Sequence, residues 1–149
     1  MKQLLLQNQL CFPLYALSRQ VTALYRPLLE KLELTYPQYL VLLVLWEADD
    51  KTVGEIGDRL LLDSGTLTPL LKRLEQKKLI TRQRNPADER QVTIRLTDAG
   101  RNLREKAADI PAQLLAGLQT DNQQTSSLYQ QLVSLLHQIS SIQSTTNNE

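Results

Sequence analysis

The spacing of apolar residues predicts a mostly helical chain. Apolar residues three or four positions apart indicate a first helix within residues 4–32, on Leu14, Leu17, Val21, Leu24, Leu28 and Leu32. Pro13 is favoured only in a first turn, so the regular helix is predicted to begin near Phe12. Pro27 predicts a kink or break near its end. The spacing recurs in a last helix, predicted for Asp121 to Ile142, on Leu128, Leu132, Leu135, Leu136, Ile139 and Ile142.

Two capping boxes divide the centre of the chain. Thr35 and Gln38 form the first, ahead of a segment, residues 39–46, that is apolar nearly all round and therefore typical of a buried central helix. Thr52 and Glu55 form the second. The short helix that follows it is predicted to be buried by Val53, Ile56 and Leu60.

This short helix and the next one predict a helix-turn-helix, whose second helix enters the major groove of DNA. Asp63 caps the second helix, and its buried stripe consists of Leu67, Leu70, Leu71 and Leu74. The outer face is small, hydroxylated and basic, which suits a helix that sits deep in a groove and reaches phosphates. It comprises Gly65, Thr66, Thr68, Pro69, Lys72, Arg73 and Gln76. Pro69 leaves a second possibility open, in which Thr68 is the cap and Pro69 the first helical residue.

A β-hairpin follows the helix-turn-helix. Two strand-like runs, Leu79 to Arg84 and Gln91 to Leu96, flank the sequence Asn-Pro-Ala-Asp-Glu-Arg. A charged hairpin at this position is a wing. Arg90 at its tip is suited to a narrow A·T-rich minor groove, although it is otherwise a solvated residue or an ion-pair partner of Asp88.

The two end helices carry apolar surface without an assigned partner. The simplest use is a helical dimer interface that pairs two winged motifs about a two-fold axis, and the alternative is a monomer whose core these helices complete. Between them, Thr97 caps a helix predicted from Asp98 to about Leu118, with a kink at Pro111. The predicted fold class is mainly α (α+β). Its single domain spans 1–149, with a winged helix-turn-helix at 35–100, dimerisation helices at 1–32 and 101–142, and a disordered tail at 143–149.

The distribution of charge points to nucleic acid. The whole chain has a net charge of +1, but the segment from Ser64 to Arg95 holds eight basic and three acidic residues, a net +5, and the remainder has −4. Such a localised basic surface is expected for a DNA contact, while the ordinary alternative is a solvated helix face. The basic residues are Lys72, Arg73, Lys77, Lys78, Arg82, Arg84, Arg90 and Arg95.

Length and composition exclude several classes of protein. The 149 residues suffice for one domain with a core, and no apolar run approaches the roughly 20 residues that span a membrane. The N-terminus has one lysine and no cleavage site, so no signal peptide is predicted and a cytoplasmic location is expected. A single cysteine excludes an intrachain disulfide. One distant histidine, His137, adds no ligand cluster, so neither a metal nor a cofactor is predicted.

Cys11 admits two interpretations. A lone cysteine on an apolar helix is commonly an inert core residue. A helix N-terminus, however, stabilises a thiolate, and three tyrosines lie in the neighbourhood: Tyr15 one turn along, Tyr25 near the end of the helix, and Tyr36 in the next cap. Their phenols can donate hydrogen bonds to a thiolate, or else pack at an interface.

Five blocks of sequence are shared with a known family. They are Q-L-C-F-P-L-Y-A (9–16), T-Y-P-Q-Y-L (35–40), L-D-S-G-T-L-T-P-L-L-K-R-L-E (62–75), D-E-R (88–90) and L-T-D-A-G (96–100). With them the chain resembles the multiple antibiotic resistance regulator (MarR) family of winged-helix repressors, and within it the organic hydroperoxide resistance repressors. The D-E-R block marks the broad family, and the cysteine block together with S-G-T-L-T-P marks the branch.

The resemblance implies a homodimer that binds an inverted-repeat operator and represses a peroxidase gene. Cys11 then matches the reactive thiol, Tyr25 and Tyr36 match tyrosines contributed by the other subunit, and Tyr15 matches a further tyrosine near the thiol. The resemblance places Ser64, Gly65, Thr66, Lys72 and Arg73 on the recognition helix and Arg90 on the wing. Because the chain has no second cysteine, it resembles the one-cysteine type, whose sulfenic acid is captured by a small cellular thiol or oxidised further.

The expected function is therefore a repressor that senses organic hydroperoxides through Cys11. The expected DNA-binding residues are Ser64, Gly65, Thr66, Thr68, Lys72, Arg73, Arg82, Arg84, Asp88 and Arg90. A cysteine-dependent peroxidase would need a thioredoxin-like core, and no alternating parallel-strand pattern occurs, so no enzyme is predicted. The remaining alternative is a winged-helix regulator that binds a phenolic or lipophilic effector reversibly.

Overall fold

The computed structural model describes residues 1–85, 88–118 and 122–146, and the side chains of 1–84, 91–117 and 123–142. Within them the helices are α1 (Cys11–Glu30), α2 (Tyr36–Glu47), α3 (Val53–Leu60), α4 (Ser64–Gln76), α5 (Asp98–Ala107), α6 (Ile110–Leu118) and α7 (Asn122–Thr146). The strands are β1 (Lys51–Thr52), β2 (Ile80–Asn85) and β3 (Asp88–Leu96). This content confirms the predicted mainly α class with a helix-turn-helix and a wing. The chain divides into two compact units, Met1–Ile110 and Pro111–Glu149.

The core of the first unit is built around α2. Gln38 accepts a hydrogen bond from the Thr35 amide at 3.1 Å, as the predicted capping box requires. The buried residues of α2 are Gln38, Tyr39, Val41, Leu42, Val44, Leu45 and Trp46, which confirms a central helix. Other elements complete this core with Leu29, Ile56, Leu67, Leu71, Leu74, Ile80, Ile94 and Leu96.

The helix-turn-helix begins at the two predicted caps. The Thr52 amide donates to Glu55 at 2.8 Å, and the Thr66 amide donates to Asp63 Oδ1 at 2.9 Å. Because α4 starts at Ser64, Pro69 lies inside this helix, and the alternative start with Thr68 as cap is wrong. The proline removes one helical hydrogen bond on an exposed face, where water can replace it.

The predicted start of the first helix is confirmed, because α1 begins at Cys11, next to Phe12. The earlier part of the predicted helical pattern is corrected, because residues 2–4 and 6–8 form short 3₁₀ turns. Of the kink or break predicted at Pro27, a break is excluded, because α1 continues through Pro27 to Glu30. Its end is set instead by Glu33 in the left-handed conformation (φ 55°) and by the Leu34 amide, which bonds the Leu29 carbonyl at 2.9 Å.

The wing is an antiparallel hairpin of β2 and β3, from Ile80 opposite Leu96 to Arg84 opposite Val92. β1 adds a third, unpredicted strand on the other side of β3, so the sheet order is β1-β3-β2. A strand of two residues is too short to show any alternation of apolar and polar positions. The turn residues 86 and 87 lie outside the described residues.

The C-terminal prediction also changes. The single helix expected from Asp98 to about Leu118 is two helices, because α5 ends at Ala107 and α6 begins at Ile110. Pro111 therefore lies in the first turn of α6, where its missing N–H costs no hydrogen bond. α7 extends to Thr146, so residues 143–146 are helical and not the predicted disordered tail.

Candidate DNA-binding surface and redox site

The outer face of α4 is exposed as predicted. Leu67, Leu71 and Leu74 are buried against the core. The exposed residues of this helix include Ser64, Gly65, Thr66, Pro69, Lys72, Arg73 and Gln76. The helix therefore presents small and basic side chains at its surface. This is the arrangement needed for close approach to a DNA groove.

Two threonines of this face already use their hydroxyl hydrogens. Thr66 Oγ1 donates to Asp63 Oδ2 at 2.9 Å, and Thr68 Oγ1 donates to the Ser64 carbonyl at 2.7 Å. The hydrogen bond from the Thr66 amide, followed by that from its hydroxyl, lowers the pKa of Asp63. In this conformation the two hydroxyls can only accept hydrogen bonds from DNA, a restriction that the sequence did not reveal.

The wing contributes Arg84 at the surface, whereas Arg82 lies partly buried against α4. Arg82 Nε is 3.4 Å from Glu75 Oε2 and is inaccessible to solvent, without a well-aligned hydrogen bond. Arg82 thus joins the wing to the recognition helix and is less available to DNA than predicted. Asp88 and Arg90 lie on β3, but their side chains fall outside the described residues.

The fold brings two of the predicted redox residues together. The rings of Tyr25 on α1 and Tyr36 on α2 are 4.6 Å apart between centroids. Burial raises the pKa of both phenols, and Tyr36 and Tyr39 raise that of Tyr25 further. Both phenols therefore stay protonated at neutral pH, and both can donate a hydrogen bond to an anion.

Cys11 is the first residue of α1 and is exposed. It lies 14 residues before Tyr25 on the same helix, or about 21 Å at the rise of an α-helix. The thiol and that phenol of one chain therefore cannot touch. A site that combines them needs a second chain.

Tyr15, the third predicted tyrosine, has a different partner. Its hydroxyl accepts a hydrogen bond from Arg19 Nη1 at 3.2 Å, and the guanidinium carbon lies 5.6 Å from the ring centroid. The side chain is 60% exposed on α1. The structure thus places Tyr15 one turn from Cys11 but engages its phenol with Arg19.

A family model described as transcriptional regulator SarA/Rot matches residues 23–107. The chain belongs to this family of transcriptional regulators. The match runs from the middle of α1 to the end of α5, and so includes the complete winged helix-turn-helix.

Individual relatives of this SarA/Rot-family chain are similar over nearly their whole length. The organic hydroperoxide resistance transcriptional regulator of Bacillus subtilis (strain 168) is 56% identical over 137 residues, covering 89% of this chain and 92% of that protein. Reduced AbfR bound to DNA, a Staphylococcus epidermidis protein, is 40% identical with a TM-score of 0.80, covering 93% and 97%. Disulfide-formed AbfR is 41% identical with a TM-score of 0.65, covering 91% and 95%. The predicted resemblance to MarR-type repressors of the hydroperoxide branch is confirmed.

Large apolar side chains remain exposed at both ends of this SarA/Rot-family chain. On α1, Leu17 and Leu24 are 47% and 48% exposed. On α7, exposures between 39% and 49% are found for Leu128, Leu132, Leu136 and Ile139. Apolar stripes of this length on a regulator are typical of an interface with another chain.

Two residues beside the tyrosine pair were missed by the sequence analysis. Tyr39 is 6.0 Å from Tyr25 between ring centroids, and Trp46 is 6.1 Å from Tyr39 in an edge-on arrangement. Tyr36, Tyr39 and Trp46 are spaced by three and seven residues, so they share one stripe of α2. That spacing was visible in the sequence but was hidden by the overall apolar character of the segment.

A cavity of about 310 Å³ adjoins the tyrosine pair in this regulator. Its walls come from α1, the residues that follow it and the start of α2. They comprise Thr22, Arg26, Leu29, Glu30, Leu34, Thr35, Tyr36 and Pro37.

The part of the chain that the structure describes contains no cluster of three His, Cys, Asp or Glu side chains able to hold a metal ion. None of its helices has the length and apolar character that crossing a membrane requires.

Proposed function

We propose that this chain is a dimeric repressor that binds an inverted-repeat operator and releases it when an organic hydroperoxide oxidises Cys11. The observation that carries the proposal is the preformed Tyr25–Tyr36 pair of protonated phenols, together with an exposed thiol that the same chain cannot bring to it. Two chains related by a two-fold axis would complete two such sites. The name and 56% identity of the Bacillus subtilis regulator support the oxidant class.

DNA binding would use α4 and the wing. In this proposal Ser64, Gly65 and Thr66 approach base edges in the major groove, while Lys72 and Arg73 neutralise phosphates. On the wing, Arg84 would contact the phosphate backbone of the DNA and Arg90 would enter the minor groove. Asp88 would lie near the tip of the wing. Thr68 and Arg82 would act mainly by shaping α4 and its contact with β2. The DNA-bound form of AbfR supports DNA binding by this chain.

Dimerisation would bury the exposed apolar stripes of the end helices. Two recognition helices held by one rigid interface would then meet successive major grooves of an inverted repeat. Loss of the reduced arrangement at the Cys11 site would change their spacing. Release requires that the oxidised dimer favour the altered arrangement over the DNA-bound one.

The oxidation is stoichiometric in this scheme. The Cys11 thiolate attacks the terminal peroxide oxygen, so an S–O bond forms as the O–O bond breaks. The leaving alkoxide takes a proton to become the alcohol, and the cysteine becomes a sulfenic acid. A small thiol then attacks that sulfur, releasing water and leaving a mixed disulfide, or further hydroperoxide gives the sulfinic and sulfonic acids. The chain's single cysteine makes an intrachain disulfide impossible, so no internal step regenerates the thiol, and this role is not enzymatic.

The test is operator binding before and after treatment with an organic hydroperoxide, followed by intact-mass analysis of the protein. We expect release of DNA together with a mass gain equal to a captured thiol, or to two or three oxygens when no thiol is present. Unchanged DNA binding by fully oxidised protein would overturn the proposal. Recovery of binding after a reductant cleaves the mixed disulfide is the control for irreversible damage.

The cavity beside Tyr36 favours a second candidate. A site of about 310 Å³ that combines Arg26 and Thr22 with apolar walls would suit a phenolic or lipophilic effector that binds reversibly. A Cys11→Ser protein distinguishes the two candidate functions, because it lacks the thiol but keeps the cavity. Release of its operator by such an effector, as in wild type, would favour this second candidate.

Lys72→Ala is expected to weaken operator binding evenly across sequences and to reduce the slope of log affinity against log salt by about one unit. The reason is the loss of one phosphate contact from α4. Lys106→Ala, an exposed lysine on α5, is the matched control and should leave the slope unchanged. Binding titrations at several salt concentrations measure both. Equal slopes for the two variants would remove Lys72 from the DNA-binding surface.

Tyr36→Phe is expected to slow the oxidation of Cys11 at neutral pH by about tenfold or more. The phenol would no longer donate to the thiolate, and a hydrogen bond to a charged group contributes roughly 1.5–3 kcal/mol. The ring and its contact with Tyr25 remain, so the fold should survive. Rates of Cys11 oxidation by an organic hydroperoxide at neutral pH measure this effect, with Tyr129→Phe on α7 as control. An unchanged rate would show that Tyr36 has no role in thiol reactivity.

A further inference from the structure

A continuous line of aromatic rings leads from the tyrosine pair to the far end of α2. Tyr36 contacts Tyr25 at 4.6 Å, Tyr25 contacts Tyr39 at 6.0 Å, and Tyr39 contacts Trp46 at 6.1 Å between centroids. These distances lie in the range of packed aromatic pairs. Tyr39 is buried, and it connects the first turn of α2 to the last.

Trp46 then contacts the base of the wing. Its indole Nε1 donates to the Gly100 carbonyl at 2.9 Å in a buried hydrogen bond between residues 54 positions apart. Gly100 packs directly against the Leu79 carbonyl, which also accepts the Thr97 amide at 3.1 Å. Leu79 precedes β2 and Thr97 follows β3, so this junction is where β2 begins and β3 ends.

The residues after α2 hold the same junction from the side. Asp49 Oδ1 accepts the Leu96 amide at 2.9 Å, and Asp49 Oδ2 is 3.1 Å from Arg101 Nη2 on α5. Arg95 of β3 forms a bidentate ion pair with Asp50, with two hydrogen bonds of 2.8 Å each. β1 pairs with β3 through only two residues, so these side chains extend a very short backbone ladder.

We propose that Trp46 is a positioning residue that couples the state of the tyrosine pair to the wing. This inference rests on the proposed function, since it assigns a route for the release of DNA. The side chains from Tyr39 to Trp46 are mostly buried and closely packed, so a displacement at the first turn of α2 is transmitted along the helix to its last turn. A shift of Tyr36 on oxidation of the thiol therefore moves Trp46 and, through the Gly100 carbonyl, the base of both wing strands.

Trp46 is the chain's only tryptophan, so its fluorescence reports directly on this route. We expect the emission of the wild-type dimer to change when an organic hydroperoxide is added, and the emission of Cys11→Ser to stay constant. Trp46 lies ten residues along α2 from Tyr36, or about 15 Å, so an oxidised thiol beside Tyr36 does not contact it directly. Release of DNA by the wild type with constant emission would overturn the coupling while leaving the proposed function intact.

Trp46→Phe provides the second test, because it keeps a ring and removes the hydrogen-bond donor. We expect the reduced protein to bind the operator within about threefold of wild type. The ratio of reduced to oxidised affinity should fall by about tenfold, a change of the size typical of coupling between sites. An unchanged ratio would overturn the role of Trp46, and if the variant fails to fold, the fluorescence result decides.

A neighbouring ion pair supplies the matched control. Arg59 on α3 pairs with Glu47 at the same end of α2, but this pair does not involve the wing. Arg59→Gln should therefore leave the ratio of reduced to oxidised affinity at the wild-type value. If the wild type itself keeps its operator after full oxidation, the proposed function fails and the coupling fails with it.

Discussion

Cys11→Ser is expected to bind the operator as tightly as wild type and to stay bound after hydroperoxide is added. The side chain is exposed at the start of α1, whereas the expected DNA-binding surface lies on α4 and the wing. Serine replaces the sulfur by an oxygen that peroxides do not oxidise under these conditions. The change thus removes the reaction without removing a core contact.

The measurement is operator affinity with and without an organic hydroperoxide, for both proteins under the same conditions. Wild-type protein restored by a reductant is the control that the oxidised form is still folded. Release of DNA from Cys11→Ser at the wild-type rate would make the cysteine a bystander. The cavity beside Tyr36 would then become the leading candidate for an effector site.

The elements that were predicted well are those whose signals are local. Asp63, Thr52 and Thr97 each cap the helix expected from the sequence, because a cap depends on a side chain and an amide three residues on. The boundary between α5 and α6 was placed less well. Proline restricts the residues around it, but whether the helix kinks or ends there depends on tertiary packing.

The site was predictable in part. The resemblance grouped Tyr25 with Tyr36, and the fold brings their rings together. The apolar run from 39 to 46 indicated that Trp46 is buried. Burial alone does not predict that its indole donates a hydrogen bond to the Gly100 carbonyl, 54 residues further along the chain. Contacts of this separation follow from the three-dimensional fold, so the route from Trp46 to Gly100 needed the structure.

The same limit applies to the DNA-binding face. Periodicity correctly places Lys72 and Arg73 at the surface of α4. It cannot show that the hydroxyl of Thr68 bonds the Ser64 carbonyl, or that Arg82 lies against Glu75. Each of these side chains can bond either to a neighbouring protein group or to DNA. Sequence spacing alone does not show which of the two interactions forms.

Gly100→Ala is expected to destabilise the fold more than any exposed substitution. A Cβ atom at this position would lie 2.1 Å from the Leu79 carbonyl oxygen, far inside any contact distance. The obstructing atom belongs to the backbone and also accepts the Thr97 amide, so it cannot rotate away as a side chain would. Relief requires moving α5 from the wing, which would also strain the Trp46 hydrogen bond to Gly100.

We expect a loss of about 2–4 kcal/mol in the free energy of unfolding, the range of an overpacked site that also disturbs buried hydrogen bonds. Chemical denaturation measures this quantity. Gly54→Ala on α3 is the matched control, because the nearest atom to its added Cβ is 3.9 Å away and alanine is the better helix former. It should leave stability unchanged or raise it by up to about 1 kcal/mol. Equal stabilities for the two variants would mean that Gly100 does not lie in close contact with the Leu79 carbonyl. This contact would then not explain the glycine of the L-T-D-A-G block.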